Sequence, residues 1–141
     1  MRARRPVSRT RTTIAAATSS SSPEPRDVDR SRLARGRWGE DLAATHYRRL
    51  GYEILDRNWR SATGELDLVL AVDGTIVFSE VKTRRSARHG SPAEAVGPDK
   101  QRRIRRLALE WLAAHDVSGV PLRFDVVAIV GSRLKVYERA F

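Results

Sequence analysis

A chain of 141 residues with 40% hydrophobic content suits one globular domain with a core of its own. It has no cysteine, which excludes a disulfide scaffold and a thiolate metal site, and no apolar run nears the roughly 18 residues that span a bilayer. The formal net charge of +10 points to an anionic partner such as nucleic acid. That pointer is discounted, because 24 of the 27 basic residues are arginine, a skew that genomic base composition also produces. Five of those arginines sit in the first 22 residues without one acid, so half of the excess belongs to the tail.

Residues 1–28 are rich in Ser, Thr, Arg and Pro and poor in large apolar side chains. Such a stretch buries too little surface to offset the entropy of ordering, and it reads as a disordered basic tail. A plain tail, or a start placed too early, is favoured over an organellar targeting segment. Residues 29–141 form the expected domain. A helix is predicted from a cap at Asp29 or Ser31 to Leu50, with Gly51 placed to stop it. At about 100° per residue, Leu33, Leu42, Ala43, Ala44, Tyr47 and Leu50 share one apolar arc. Glu40 falls in the middle of that arc. A lone carboxylate there must be paired, metal-bound or neutralised, since burying an unpaired charge is very costly.

A short strand follows at Tyr52–Trp59, then two β-rich runs joined by Asp73-Gly74, a strong two-residue turn signal. With that turn, Val72 pairs with Thr75, Asp67 with Glu80 and Glu65 with Lys82. Period-2 alternation then puts Glu65, Asp67, Glu80 and Lys82 on one face, with Leu66, Leu68 and Leu70 together on the other. Directly opposed carboxylates repel. A divalent cation such as Mg²⁺, which favours oxygen ligands, is the natural compensation. Lys82 is placed to position or deprotonate a metal-activated water, and Glu40 to complete the site. The plainer alternative is an exposed hairpin with an ordinary Glu65–Lys82 pair. It is disfavoured because both strands are apolar on both faces and Glu40 independently interrupts a separate apolar arc.

Further on, Ser91–Glu94 has capping-box spacing. A longer helix is predicted over Pro98–His115 with Ile104, Leu107, Ala108, Trp111 and Leu112 inward and Arg102, Arg103, Arg105 and Arg106 largely opposite. Lys100 projects onto the apolar arc, where it either reaches the acidic face or extends past the first turn into water. Strands follow at Leu122–Val130 and Leu134–Tyr137. The expected fold class is α/β, with one mixed five-stranded sheet flanked by helices. Arg60, Arg84, Arg85 and Lys100 are the candidate nucleic-acid contacts, and Asn58 borders the same region. Trp59 and Trp111 read as core, Arg123 and Asp125 as a pair, and His46, His89 and His115 show no metal-ligand spacing.

Asp67, twelve intervening residues and "EVK" at Glu80–Lys82 resemble the PD-(D/E)xK nuclease signature. The strings "GRWGEDLAATHYRRLGYEILDRNWR", "GELDLVL", "IVFSEVKTRR", "HGSPAEAV", "RRIRRLALEWL" and "RFDVVAIV" resemble the YraN-like family of bacterial proteins over Gly36 to Tyr137. That family is similar in fold to archaeal Holliday-junction resolvases. The resemblance implies a restriction-endonuclease-like core, a cytoplasmic setting, acidic positions at Glu40, Asp67 and Glu80, and a catalytic lysine at Lys82. Leu66 stands where the signature has proline. By analogy with the resolvases the resemblance also implies branched DNA as substrate and a homodimer. Two functional readings follow. One is a Mg²⁺- or Mn²⁺-dependent deoxyribonuclease. The other is a non-catalytic nucleic-acid-binding or adaptor protein on a nuclease fold.

Overall fold

The computed structural model describes residues 25–85 and 96–141. In chain order these form helix α1 (Pro25–Arg49), strands β1 (Glu53–Ser61), β2 (Gly64–Val72) and β3 (Thr75–Arg84), helix α2 (Pro98–Ala114), and strands β4 (Leu122–Val130) and β5 (Arg133–Tyr137). The strands make one mixed sheet in the order β1-β2-β3-β4-β5. Neighbours are antiparallel except β3 and β4, which run parallel. A parallel pair needs a long crossover, and the segment containing α2 supplies it. Most of the basic tail, the Ser91–Glu94 segment and His89 lie outside the described residues. Among the described residues no helix is long and apolar enough to cross a membrane.

Each face of the sheet is covered by one helix. Ile104, Leu107, Ala108, Trp111 and Leu112 of α2 pack with Val69, Ile76, Phe78 and Val126. Ala43, Ala44 and Tyr47 of α1 pack with Leu68, Leu70, Val77, Val127 and Ile129 on the other face. The predicted inward stripe of α2 is therefore the observed one. The four arginines from Arg102 to Arg106 are solvent-exposed. Trp111 is buried and Trp59 packs beside the same cluster, as expected of core aromatics.

α1 begins at Pro25, earlier than the predicted cap, because a proline in the first helical turn loses no hydrogen bond. Its end is as expected. Gly51 adopts φ +89°, its N–H bonds the Arg48 carbonyl and the Tyr52 N–H bonds the Tyr47 carbonyl, a Schellman closure. Leu33 and Leu50, predicted on the apolar arc, are exposed. The fully buried positions of α1 run only from Gly39 to Tyr47, so periodicity outside that span has no sheet beneath it.

The β2–β3 hairpin turns at Asp73 and Gly74, both with positive φ, as a type I′ turn requires. The predicted register holds from Val72↔Thr75 to Leu68↔Ser79 and stops there. Beyond it the two strands part, and the Asp67 carboxylate accepts the Val81 N–H at 2.9 Å in place of a backbone carbonyl. Alternation in β2 breaks at the same point. Leu66 joins the α2-side cluster while Leu68 and Leu70 join the α1-side cluster, so the three do not share a face.

Candidate functional site

The parting of β2 and β3 opens a cleft of about 470 Å³ lined by Arg32, Arg35, Gly36, Glu40, Asp67, Glu80, Val81, Lys82 and Thr83. Asp67 comes from β2, Glu80 and Lys82 from β3, and Glu40 from α1. The predicted one-faced row keeps Glu80 and Lys82 together on β3 and is corrected at Glu65. Ser79 faces α1, where its hydroxyl meets the Tyr47 hydroxyl at 3.0 Å. The next residue, Glu80, meets Lys100 of α2, with Nζ 2.5 Å from Oε1. Glu65 does not pair with Lys82. It lies 3.4 Å from Arg60, its antiparallel neighbour on β1. Lys82 instead approaches Glu80 at 3.4 Å. The carboxylates of Asp67 and Glu80 still meet, but across the open end of the hairpin and not along its ladder.

Glu40 is held over this opening by both of its neighbours. Gly39 seats α1 directly on Thr83 of β3, where a Cβ would come within 2.1 Å of the Thr83 hydroxyl. Asp41 is 2.5 Å from the Arg57 guanidinium on β1. The acidic residue between them is aimed at the cleft by close packing on one side and an ion pair on the other.

The charges are not in balance. Burial, then the Glu80 charge and then the Glu40 charge push the Asp67 carboxyl up to about 8, against the pull of the Val81 N–H. Burial and the adjacent Lys100 ammonium lower Lys82. For Lys100 burial is the largest influence and pulls it down, but its bonds to Glu80 and Lys82 and the Glu80 and Asp67 charges together raise it. The two lysines therefore differ. Lys100 is shifted toward its charged form and Lys82 toward its neutral one.

Among the described residues no three His, Cys, Asp or Glu side chains converge into a ready metal cage. Mg²⁺ does not need one, because it keeps several waters and takes only one or two carboxylates. Asp67 and Glu80 are hard oxygen donors in contact with each other, and burial first, then the Glu80 charge, raises the Asp67 carboxyl. The donor set fits such an ion, with Glu40 in reach of the same cleft.

Lys100, predicted either to reach the acidic face or to extend into water, reaches Glu80. Arg60 and Asn58 line an adjoining pocket of about 280 Å³ together with Leu33, Arg37, Glu65 and the shared residues Gly36, Glu40 and Asp67. Arg84 and Arg85 close β3 and follow it without lining either pocket. Arg32, Arg35 and Gly36 were not anticipated. The signal was present, since residues 32, 36 and 40 are four apart and so lie on one stripe of a helix. Arg123 and Asp125 form the expected pair, at 2.9 Å.

Residues 39–129, which include Glu40, Asp67, Glu80, Lys82 and Lys100, match the family described as uncharacterised protein family UPF0102. A UPF0102 protein of Frankia casuarinae is 54% identical over 100 residues, covering 71% of this chain and 85% of that protein. One from Rhodococcus jostii is 57% identical over 98 residues, covering 70% and 83%. One from Syntrophotalea carbinolica is 52% identical over 98 residues, covering 70% and 80%. The match takes in β1 to β3, α2 and nearly all of β4, together with the whole acidic cluster, and the chain belongs to the UPF0102 family.

Proposed function

We propose that this protein is a metal-dependent, endonuclease-like phosphodiesterase that acts on DNA in the cytoplasm, with Asp67, Glu80, Glu40 and Lys82 as its working residues. The observation that carries this reading is the meeting of Asp67, Glu80 and Lys82 at the open end of the β2–β3 hairpin. A restriction-endonuclease-like ancestry accords with that arrangement, and branched DNA is the substrate first to be tried. Asp67 and Glu80 would hold Mg²⁺ or Mn²⁺, with Glu40 beside them, and the bound ion would supply Lewis-acid polarisation and a more acidic water.

The chain's own part is charge and proton handling. Lys82, lowered by burial and by Lys100, can accept a proton from the attacking water or donate a hydrogen bond to the phosphate oxygens. Water adds to phosphorus as its proton passes to Lys82, the P–O ester bond breaks, and the leaving oxygen takes a proton from solvent water. Lys100 keeps a positive charge at Glu80 throughout and draws negative substrate toward the cleft.

The test is incubation of linear, flapped and four-way DNAs with Mg²⁺ or Mn²⁺, comparing wild type with Asp67→Ala, Glu80→Ala and Lys82→Ala. Each variant is expected to lose at least about 100-fold in rate. Cutting that persists in Glu80→Ala sinks the assignment. A second reading, a nucleic-acid-binding adaptor without turnover, draws support from the two ammonium groups that already occupy Glu80. Salt-sensitive binding of these DNAs with no cutting of any of them would favour it.

A further inference from the structure

Gly36 is an anomaly in the middle of α1. Glycine inside a helix costs about 1 kcal/mol relative to alanine, so a helix keeps one only for a reason. Packing is not the reason here, since a Cβ at Gly36 would meet nothing within 4 Å. Gly39, one turn on, shows the contrast, because its missing Cβ is what lets α1 lie against Thr83. Gly36 instead lines both pockets, and so do Glu40 and Asp67. The two pockets thus adjoin, sharing the bare helix backbone at Gly36 and the Glu40–Asp67 acids as common lining.

The lobes differ in charge. The larger carries Arg32 and Arg35 from the helix and Lys82 from the strand. In the smaller, Arg60 is engaged by Glu65, and Arg37, Asn58 and Leu33 complete the wall. We propose that Gly36 is the floor of a track for a nucleic-acid backbone, with Arg32 and Arg35 gripping phosphates on one side of the acidic pair and Arg37 on the other. The missing side chain lets the sugar–phosphate chain lie against the helix, and a strand held on both sides presents an internal linkage to Asp67 and Glu80. This rests on reading the cleft as a nucleic-acid site and adds which residues hold the strand.

The experiment is fluorescence anisotropy of labelled single-stranded and duplex DNA with the full chain in EDTA, over a range of KCl, beside thermal melts. Gly36→Ala is expected to raise Tm by about 4 °C, as relief of an unneeded helix glycine should. Gly36→Leu, which also suits a helix, should fold as well as wild type but bind at least about tenfold more weakly. The Arg32→Ala, Arg35→Ala double variant should flatten the log–log salt dependence on duplex by about 2. Gly36→Leu that binds like wild type, Gly36→Ala that lowers Tm, or wild type that binds neither DNA would each overturn the track. Unchanged groove variants alongside Glu80-dependent cutting would remove the track alone. Groove-dependent binding without any cutting would remove the hydrolytic reading alone.

Discussion

Asp67 is ionised only against the preference of its surroundings. Its folded carboxyl titrates near 8 and its unfolded one near 3.8, so between those values the native state holds the extra proton. Folding stability contributed by this group is therefore full below about pH 4 and is lost as pH rises toward 8. The slope approaches about 1.4 kcal/mol per pH unit inside that window. Asp67→Asn should remove this loss, so urea melts of the metal-free proteins should diverge from pH 5 to pH 8 in favour of the variant. The lysines offer a second reading at the same scale. The chain has only Lys82, Lys100 and Lys135, so carbon-labelled lysine gives three resolvable NMR titrations. Lys82 should titrate below the ordinary lysine range, and Lys100→Met should move it back up by removing the neighbouring ammonium.

At the scale of elements, the seat of α1 on β3 decides where Glu40 stands. Gly39→Ala would drive a methyl into the Thr83 hydroxyl, and Thr83 is stiff about its Cα–Cβ bond. The expected cost is about 1–3 kcal/mol by chemical denaturation, despite the better helix propensity of alanine. Adding Thr83→Ala should recover most of it, which separates this close approach from a general intolerance of the position. The parting of β2 and β3 is the other decisive element-scale feature. The hairpin was legible from Asp73-Gly74 as far as Leu68↔Ser79 because turn type and alternation specify register together. It was not legible further, because alternation presumes a continuing ladder. Here β1 carries an irregularity between Ile54 and Asp56, Asn58 takes a left-handed conformation opposite Asp67, and β2 follows β1 away from β3.

Across the whole molecule, one buried polar network ties the layers together. Asp125 on β4 is fully buried, accepts from the Tyr47 hydroxyl on α1 and from the Arg139 backbone N–H, and is engaged by Arg123 through two bonds. Arg123 also donates to the Tyr52 hydroxyl just before β1. Burial and the Asp125 charge hold the Tyr47 phenol well above its ordinary range, so it remains a donor at any working pH. Asp125→Ala leaves the nearly buried Arg123 guanidinium with only the more distant Glu138 carboxylate, at 3.8 Å, and strips the Tyr47 hydroxyl of its carboxylate acceptor, so the expected loss is about 3 kcal/mol in global unfolding. The Arg123–Asp125 pair could be read from two charges two apart in one strand. Its link to Tyr47 could not, since 78 residues separate them.

Helices, strands, the hairpin turn and the acidic and basic residues worth watching are all legible along the chain, because periodicity and turn chemistry are local properties. Glu40 among apolar neighbours and Asp67 near Glu80 are legible for the same reason. That Glu65 belongs to Arg60, that Lys100 crosses from α2 to Glu80, and that Arg32 and Gly36 border the acids emerges from the packed fold alone. Those outcomes depend on where a ladder ends and on which helix covers which face. Both are set by packing between elements far apart in the chain, and no local pattern encodes them.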